Sequence, residues 1–422
     1  MNILFVSEYY PPKVMGGGEI NLELLATALA ESGVEVSVLT SQHFGLPETE
    51  QKEGVTIYRK LRTGDNPSGL VENLKRSLIF PKSVVEEVNK IVKKKQIEAI
   101  HFIGTSIIAA SQLKGFGIPL FATIESYPTL CPKGDRIFHG KSECKVKCSF
   151  TEFLSCQRDS AEIGKMKNEW YLKYNAPGLS YIYYYYSQLN EALKYCNLIA
   201  ISEYVQNLLK QQGHESTAIP NALDITKFKI DTIKNEIAKK EKTKVLFLGS
   251  LIRSKGAQVL LEAFQGLDVE CKIYGEGALK EELQQMIQNK NLSATIHPPV
   301  PYDKIPSLYA QADIVVFPSI WPEPFGRIAI EAMAAGKPVI GSAIGGIKET
   351  MAEGTGILVD PGNVQQLREA ITLLMHNPAL RKEMGKKGRK VVKGLYAEEK
   401  VVQRLIDVYR DKTIALSDPS IL

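Results

Sequence analysis

Residues 318–331, PSIWPEPFGRIAIE, decide the fold and mark a candidate ligand site. The buried-strand pattern Asp313–Pro318 ends where this stretch begins, and a helix is predicted to start near Gly326. Ligands of doubly wound sheets bind at the carboxyl ends of the strands, and the free N–H groups of a helix N-terminus attract phosphate. Glu323 precedes the helix and Glu331 lies one to two turns inside it. We therefore expect the two carboxylates to contact different parts of one extended ligand and not to share a metal ion.

Outward from this stretch, the chain shows two series of alternating strands and helices. The first begins at Asn2–Ser7, where strand, glycine-containing loop, helix and strand form a βαβ unit, and the second begins at Lys244–Gly249. This pattern predicts an α/β protein of two doubly wound, Rossmann-like domains facing across a cleft. We place the domains at 1–225 and 226–395, joined by the charged linker Lys229–Lys244. Residues 396–422 are expected to form a C-terminal helix, which could pack back on the first domain, and a loose tail from Thr413.

Composition excludes several classes of protein. The 422 residues are 44% hydrophobic and 23% charged, which is ordinary globular usage and excludes wholesale disorder. A net charge of +5 is too small for a dedicated nucleic-acid binder. The longest uncharged run, Tyr174–Asn190, contains Asn, Gln, Pro and Gly and is not an apolar span. Because the N-terminus lacks a signal-peptide pattern, we expect a cytoplasmic protein with reduced cysteines.

The segment Glu323-Pro324-Phe325-Gly326, with Glu331 eight residues after Glu323, resembles a known family signature. It is similar to the Glu-x7-Glu motif of the retaining, nucleotide-sugar-dependent glycosyltransferases with the GT-B fold, the fourth family in the usual sequence classification. Further matching stretches in the second half are Gly249–Gly256, Tyr274–Gly277, Leu308–Ser319 and Ala334–Val339. Weaker matches in the first half are Gly16–Glu19, Ile201–Glu203 and Pro220–Asp224. Several motifs in the same order make a specific signal.

The resemblance implies a metal-independent, retaining hexosyltransferase, as in polysaccharide biosynthesis. The donor would be a UDP- or GDP-sugar, and the acceptor a hydroxyl of a glycan, a lipid-linked sugar or a small molecule. Glu323 would contact the donor sugar, Glu331 the ribose hydroxyls and Lys255 the diphosphate. A lysine between a strand and a helix start agrees with a phosphate contact. The backbone N–H groups near the sugar and diphosphate would be those of Phe325, Gly326 and Arg327.

Two positions depart from the family pattern. Many relatives carry arginine where this chain has Ser250, so one phosphate-binding cation is missing. Arg253 lies in the same loop as Lys255 and is expected to compensate. Relatives often carry a His-Asp pair where this chain has Glu125 and Ser126. Glu125 is therefore the candidate for orienting the acceptor or the sugar in the catalytic site.

The triple glycine Gly16-Gly17-Gly18 is the remaining candidate in the first half. Asn21 stands where the third glycine of GxGxxG would be, which weakens a dinucleotide interpretation. Glycines here would let backbone N–H groups approach the donor phosphates or the acceptor closely. An ordinary flexible loop fits the residues equally well, and the resemblance favours the site.

Four of the six cysteines lie close together, in an insert at about 126–160. They are Cys131, Cys144, Cys148 and Cys156. Four thiolates can hold Zn²⁺ tetrahedrally. The spacing contains no CxxC pair, so disulfides, an iron–sulfur cluster and four free thiols stay open. We expect a structural zinc site on an acceptor-side loop and no catalytic metal. His139 could replace one ligand, although a surface histidine is the simpler interpretation.

Aromatic and basic residues of the first half raise the question of membrane contact. The aromatic ones are Tyr181, Tyr183–Tyr186, Trp170, Tyr171 and Tyr174, and the basic ones are Lys75, Arg76, Lys82, Lys90 and Lys93–Lys95. Such residues suit a membrane interface or a lipid-linked acceptor. Core packing of the tyrosines and solvation of the lysines is the simpler interpretation, and peripheral contact with the inner face of the membrane stays open.

Three other functions also stay open at this point. One is another GT-B enzyme, such as a sugar-nucleotide epimerase or a phosphorylase. The second is a sugar-nucleotide-binding protein that has lost catalysis at Ser250 and Glu125. A zinc-containing nucleic-acid module ranks last, because no nucleic-acid motif accompanies the cysteines.

Overall fold

The computed structural model describes residues 1–63, 70–139, 142–144, 147–163, 176–228 and 242–417, which divide into two compact units. The first unit is Met1–Ala222 with Glu398–Leu422, and the second is Leu223–Ala397. Each is a Rossmann-like α/β unit with its own core, as the GT-B fold requires. Most of the expected linker, together with Trp170, Tyr171 and Tyr174, lies outside the described residues.

Ten strands are described in the first unit. They are β1 (Asn2–Ser7), β2 (Glu35–Ser41), β3 (Thr49–Lys52), β4 (Val55–Leu61), β5 (Ala99–Ile103), β6 (Leu120–Ile124), β7 (Ile137–Phe138), β8 (Ser142–Glu143), β9 (Asn197–Ala200) and β10 (Ser216–Ala218). The main sheet has the order β10-β9-β6-β5-β1-β2-β4-β3, parallel except for β3, and β7 pairs with β8 in a hairpin. From β1 the chain builds the sheet first on one side and then, from β5, on the other. The carboxyl ends of β1 and β5 therefore form the topological switch point where ligands bind in such sheets.

Helices cover this sheet. Those before the second unit are α1 (Gly17–Glu31), α2 (Leu70–Val92), α3 (Ala110–Leu113), α4 (Phe150–Ile163), α5 (Ala176–Ala192) and α6 (Glu203–Gln211). The C-terminal helix, Glu398–Ser417, adds Val401, Leu405 and Tyr409 to the same hydrophobic core as Phe5. The tail expected from Thr413 is thus helical as far as Ser417, because the amphipathic helix continues beyond the stretch whose periodicity was clear. Among the described helices, none is both long and apolar enough to cross a membrane.

His101 fixes the C-terminal helix to the sheet. Its Nδ1 lies 2.5 Å from the hydroxyl of Tyr409, and its Nε2 lies 2.7 Å from that of Thr123. The imidazole stacks on the ring of Phe5 with 5.0 Å between the centroids. Burial lowers the pKa of His101 to about 3, so the ring is neutral and its two nitrogens share one donor and one acceptor role.

The second unit has a parallel sheet. Its described strands are β11 (Thr243–Leu248), β12 (Val269–Tyr274), β13 (Ala294–His297), β14 (Ile314–Phe317), β15 (Val339–Ser342) and β16 (Gly356–Val359), in the order β13-β12-β11-β14-β15-β16. Its described helices are α7 (Ala257–Ala263), α8 (Lys280–Asn289), α9 (Ile305–Gln311), α10 (Arg327–Ala334), α11 (Ile347–Thr350), α12 (Val364–His376) and α13 (Pro378–Leu395). The switch point lies between β11 and β14, which places the two loops that follow these strands side by side.

Candidate functional site

The loops after β11 and β14 bring Lys255 and Glu323 together at the switch point of the second unit. The Lys255 Nζ lies 2.6 Å from Oε1 of Glu323, and the hydroxyl of Ser319 donates to the same oxygen at 2.7 Å. The Lys255 ammonium also lies 4.8 Å from the centroid of the Trp321 ring. Glu323 is buried. The site therefore offers a cation for phosphate and a carboxylate for hydroxyl groups at one sheet edge.

A glycine allows the two loops to touch. The Ser254 carbonyl accepts a hydrogen bond from the N–H of Ile320 at 2.8 Å, which joins the loop of Lys255 to the loop of Glu323. Gly256 has a φ of +78°, and a Cβ at this position would lie 1.9 Å from the carbonyl oxygen of Pro318. Any side chain at position 256 would therefore push the loops apart and displace Lys255 from Glu323.

Glu331 lies in a buried hydrogen-bond network. Its carboxylate accepts from the hydroxyl of Tyr302 at 2.8 Å, from that of Tyr309 at 3.0 Å and from Arg327 Nε at 2.9 Å. Burial, and then the Glu331 charge, raise the pKa of Tyr309 well above its ordinary value, so its hydroxyl stays a donor. A carboxylate has about four acceptor positions. One therefore remains for a ligand hydroxyl.

The start of α10 lies between these two carboxylates. Gly326 is the N-cap residue with a φ of +112°, and Phe325 before it is buried against the ring of Tyr396 at 5.7 Å. The N–H of Gly346 donates to the carbonyl of Glu323 at 2.7 Å, which fixes the preceding loop. Arg327 was predicted to contribute only its backbone N–H group. Its side chain binds Glu331, and its buried Nη1 makes no hydrogen bond to any described residue.

Arg253 has a different partner in this structure. Its Nη2 lies 3.1 and 3.2 Å from the two carboxylate oxygens of Glu282 on α8, and both side chains are about half exposed. Lys255, two residues later, faces Glu323 instead. That Arg253 replaces the cation missing at Ser250 therefore stays a prediction, and it requires that the pair with Glu282 can open.

In the first unit, Gly18 and Glu125 lie against each other. Asn21 Nδ2 donates to Oε1 of Glu125 at 3.1 Å, and a Cβ at Gly18 would lie 2.3 Å from Oε2. Gly17 and Gly18 form the first turn of α1, so the triple glycine is a helix start and not a free loop. The N–H of Gly16 is already bound to the side chain of Glu19 at 2.8 Å.

A second polar cluster at the same sheet edge was not predicted. Glu8, directly after β1, accepts two hydrogen bonds from the guanidinium of Arg76 and others from the hydroxyls of Thr63 at 2.5 Å and Thr105 at 3.2 Å. The buried hydroxyl of Tyr185 lies near Thr105 and makes no hydrogen bond to any described residue. A carboxylate immediately after a switch-point strand was the signal available in the sequence.

The four clustered cysteines line one small cavity. Cys131, Cys144 and Cys156 are buried and Cys148 is partly buried, and all four are free thiols. Burial and then the three neighbouring sulfurs raise the pKa of Cys148 to about 12. No three His, Cys, Asp or Glu side chains of the described part of the chain stand in metal-binding geometry. The Nδ1 of His139 is hydrogen-bonded to the carboxylate of Asp159. Because no metal-binding geometry is present among the described residues, the zinc site stays a prediction.

Comparison with known proteins agrees with this architecture. Residues 229–391 match the family Glycosyl transferases group 1, and residues 15–227 match Glycosyltransferase Family 4. An uncharacterised glycosyltransferase of Methanocaldococcus jannaschii is 26% identical over 97% of this chain and 98% of its own length. Sucrose-phosphate synthase from Thermosynechococcus elongatus is 24% identical, with a TM-score of 0.75 over 98% of this chain and 99% of that chain.

A third comparison is with Anabaena HepE in complex with UDP-glucose. It is 19% identical, with a TM-score of 0.67 over 97% of this chain and 100% of that chain. At these identities the two structural likenesses show the fold, whereas the two family matches together cover most of the chain. The chain therefore belongs to the group 1 glycosyltransferases, with the GT-B fold and a glycosyltransferase function of that type.

Proposed function

We propose that the chain is a retaining, metal-independent hexosyltransferase. Its donor is a UDP- or GDP-sugar, and its acceptor is a hydroxyl of a glycan, a lipid-linked sugar or a small molecule, as in polysaccharide biosynthesis. The observation that carries the proposal is the 2.6 Å contact of Lys255 with Glu323 at a topological switch point. A cation and a carboxylate at such an edge suit the diphosphate and the sugar of one donor molecule.

Each donor contact follows from the local chemistry. Lys255 exchanges part of its contact with Glu323 for the diphosphate, and the N-terminus of α10 adds its dipole. Glu323 then accepts hydrogen bonds from hydroxyls of the sugar. Glu331 uses its remaining acceptor position for the ribose. The backbone N–H groups close to the sugar and the diphosphate are those of Phe325, Gly326 and Arg327.

The reaction forms one C–O bond and breaks another on the same face of the sugar. The bond between the anomeric carbon and the diphosphate oxygen breaks, and the acceptor oxygen bonds to the anomeric carbon. The acceptor proton passes to the departing diphosphate. Lys255 and the α10 dipole stabilise the charge that develops on that leaving group, which is the largest catalytic contribution expected here. Glu323 holds the sugar and forms no covalent bond.

The acceptor side belongs to the first unit in this proposal. Glu125, held by Asn21 against Gly18, orients the acceptor hydroxyl or the sugar at the sheet edge. Glu8 and Arg76 lie at the same edge and supply further polar contacts. Exchange of Glu125 for Gln should therefore reduce turnover while leaving donor affinity within about twofold, since a neutral amide keeps the shape but removes the charge.

We further propose that the protein acts in the cytoplasm, in peripheral contact with the membrane that carries its acceptor. Leu78 and Ile79 on α2 and Tyr184 on α5 are exposed large hydrophobic side chains. Lys82 on α2, which is exposed, brings positive charge close to that apolar pair. Sedimentation with anionic vesicles tests this point, and Leu78→Ser with Ile79→Ser should reduce the bound fraction.

Donor binding is the experiment that tests the proposed function. A donor raises the free energy of unfolding by mass action, by about 2.7 kcal/mol at a hundred times its dissociation constant. UDP-, GDP- and ADP-sugars are compared in thermal unfolding, beginning with UDP-glucose because the Anabaena protein was crystallised with it. Stabilisation by one nucleotide series, followed by transfer in the presence of EDTA with retained anomeric configuration, supports the proposal. Binding by none, or activity abolished by EDTA, contradicts it.

Glu331→Gln tests the nucleotide contact. Because it removes one charged hydrogen bond, it should weaken nucleotide binding by about 1–3 kcal/mol. Glu369→Gln, an exposed glutamate on α12 of the same unit, should leave binding unchanged. Equal affinities of the two variants would remove Glu331 from the donor site.

A further inference from the structure

Four cysteines of the first unit share a cavity with two buried cations. Cys131, Cys144, Cys148 and Cys156 line it, as do the side chains of Lys133 and Arg136. The side chain of Lys133 is 6% exposed and Arg136 is 2% exposed. Cations are rarely buried to this degree unless an anion lies close by, because removing the charge from water costs several kcal/mol.

Of the two cations, Arg136 keeps a buried donor that is unused within the described residues, whereas Lys133 has several partners. Lys133 Nζ donates to the carbonyl of Ile137 at 2.8 Å and lies 3.4 Å from the partly exposed carboxylate of Asp135. Arg136 donates to the carbonyl of Cys144, and its buried Nε makes no hydrogen bond with any residue of the described ranges. Glu152 also lines the cavity, but its carboxylate accepts from the N–H of Ser149 at 2.8 Å at the start of α4.

One sulfur of the cavity has two hydrogen-bond donors close to it. Cys156 Sγ accepts from the backbone N–H of His139 at 3.2 Å and lies 3.5 Å from Lys133 Nζ, and as a thiol it donates to the carbonyl of Ile137 at 3.6 Å. Hydrogen bonds to sulfur stabilise the charged form and tune metal-bound thiolates. The cavity has a volume of about 20 Å³, which is room for one water-sized or metal-sized body.

Four separate pieces of chain supply the thiols. Cys131 lies in the turn whose N–H bonds the Tyr127 carbonyl, Cys144 directly follows β8, Cys148 precedes α4 and Cys156 lies within α4. In this structure no three of them stand in ligand geometry. Rotation about the Cα–Cβ bonds moves each sulfur between staggered positions without displacing the backbone.

We propose that Cys131, Cys144, Cys148 and Cys156 bind one Zn²⁺ as a closed structural site whose charge is balanced by Lys133 and Arg136. Four thiols each lose a proton to solvent when the metal binds. Four thiolates and one divalent ion carry a net charge of about −2, which matches the two buried cations. The site joins the β7–β8 hairpin to α4, and with all four positions filled it has no open coordination position for catalysis.

Metal analysis of the full-length protein tests the proposal. Protein purified without added metal should contain about one zinc per chain. Cys144→Ser and Cys156→Ser should lose most of it, while Cys196→Ser and Cys271→Ser, which change cysteines away from the cavity, should keep it. Zinc absent from wild type, or unaffected by the first two variants, overturns the proposal, as does a mass that shows two disulfides or an iron–sulfur absorption spectrum.

Cobalt replacement gives a readout that needs no variant to fold. Titration of metal-free wild type with Co²⁺ should saturate at about one ion and give the intense charge-transfer bands of thiolate ligands in a tetrahedral field. Bands of octahedral cobalt without thiolate character would contradict the assignment.

The charge balance has its own matched pair of variants. Arg136→Met should weaken zinc binding, measured against a competing chelator, by about 10–100-fold, the usual cost of an outer-sphere change. Lys147→Met removes an exposed cation from the same insert and should have little effect. Equal affinities would show that Arg136 does not balance a tetrathiolate.

Discussion

At the scale of single residues, the structure separates two cations of the loop that we propose binds the donor. Lys255 faces Glu323, whereas Arg253 pairs with Glu282 at the surface. Lys255→Ala should therefore lower kcat/KM for the donor strongly. Each 1.4 kcal/mol of lost transition-state stabilisation corresponds to about a tenfold decrease. If the pair of Arg253 with Glu282 stays closed, Arg253→Ala should change kcat/KM by less than about threefold, because exposed ion pairs contribute about 0–1 kcal/mol. Steady-state kinetics with varied donor distinguishes them.

Lys280→Ala serves as the control for this pair, since Lys280 forms a surface ion pair with Glu276 in the same unit. A large effect of Arg253→Ala, partly restored by Ser250→Arg in that background, would instead show that Arg253 replaces the missing family arginine.

His101 gives a prediction about pH. Its pKa is about 3 in the folded protein and about 6.5 when unfolded, so between these values the unfolded chain binds more protons. The free energy of unfolding of the first unit should therefore rise with pH across this window, by up to about 1.4 kcal/mol per pH unit from this group, and gain nothing further above it. His101→Gln should flatten that slope in urea unfolding, whereas the exposed His43→Gln should not. Parallel slopes for wild type and His101→Gln would refute the assignment.

Some of these residues could be predicted from the sequence because they are neighbours along the chain. Glu323, Gly326 and Glu331 belong to one strand–loop–helix, so local pattern alone places them together. The partners of Glu331, Tyr302 and Tyr309, come from the segment before β14, and only the folded sheet brings them close. The sequence carries no comparable local sign of such contacts.

At the scale of elements, a strand with a continuous apolar run was the easiest to predict. β1 has the expected bounds, Asn2–Ser7, because a parallel strand covered on both faces has a continuous hydrophobic sequence. β4 was missed, since its sequence VTIYRKL mixes polar and apolar residues. Its alternation reflects one buried and one half-buried face.

The loop-to-loop contact at Gly256 yields the prediction for this scale. Gly256→Ala places a Cβ 1.9 Å from the Pro318 carbonyl and forces a left-handed φ on a non-glycine residue. The φ alone costs about 1–2 kcal/mol, and the clash adds to it. Urea unfolding of the second unit should show this loss together with weaker donor binding.

Gly394→Ala on α13 is the matched control. A Cβ there meets nothing within 4 Å, so this variant should be neutral or more stable by up to about 1 kcal/mol. A Gly256→Ala protein as stable as Gly394→Ala would mean that the two loops are not held in contact.

At the scale of the whole molecule, the C-terminal helix belongs to the first unit although it follows the second. Removal of 398–422 takes Val401, Leu405 and Tyr409 out of the first core and leaves His101 with one fewer hydrogen-bond partner. The first unit of the truncated protein should unfold at a lower urea concentration. Its free energy of unfolding should fall by more than the roughly 3–5 kcal/mol expected for truncating a single large core side chain. Limited proteolysis, in which each fragment is assigned to one unit, would follow the two units separately.

Gln403→Ala, which changes an exposed residue of the same helix, is the control and should leave unfolding nearly unchanged. A first unit that is equally stable without 398–422 would show that the packing of Tyr409 beside His101 contributes little.

The same connectivity has a consequence for biosynthesis. As the chain leaves the ribosome, the first Rossmann-like sheet is complete long before the helix that covers it, because the whole second unit is translated in between. At roughly 5–20 residues per second, that interval is on the order of ten seconds or more. During it the surface around Phe5 and His101 is exposed to other nascent chains and to chaperones. The second unit therefore has all of its residues available before the first unit receives its last helix.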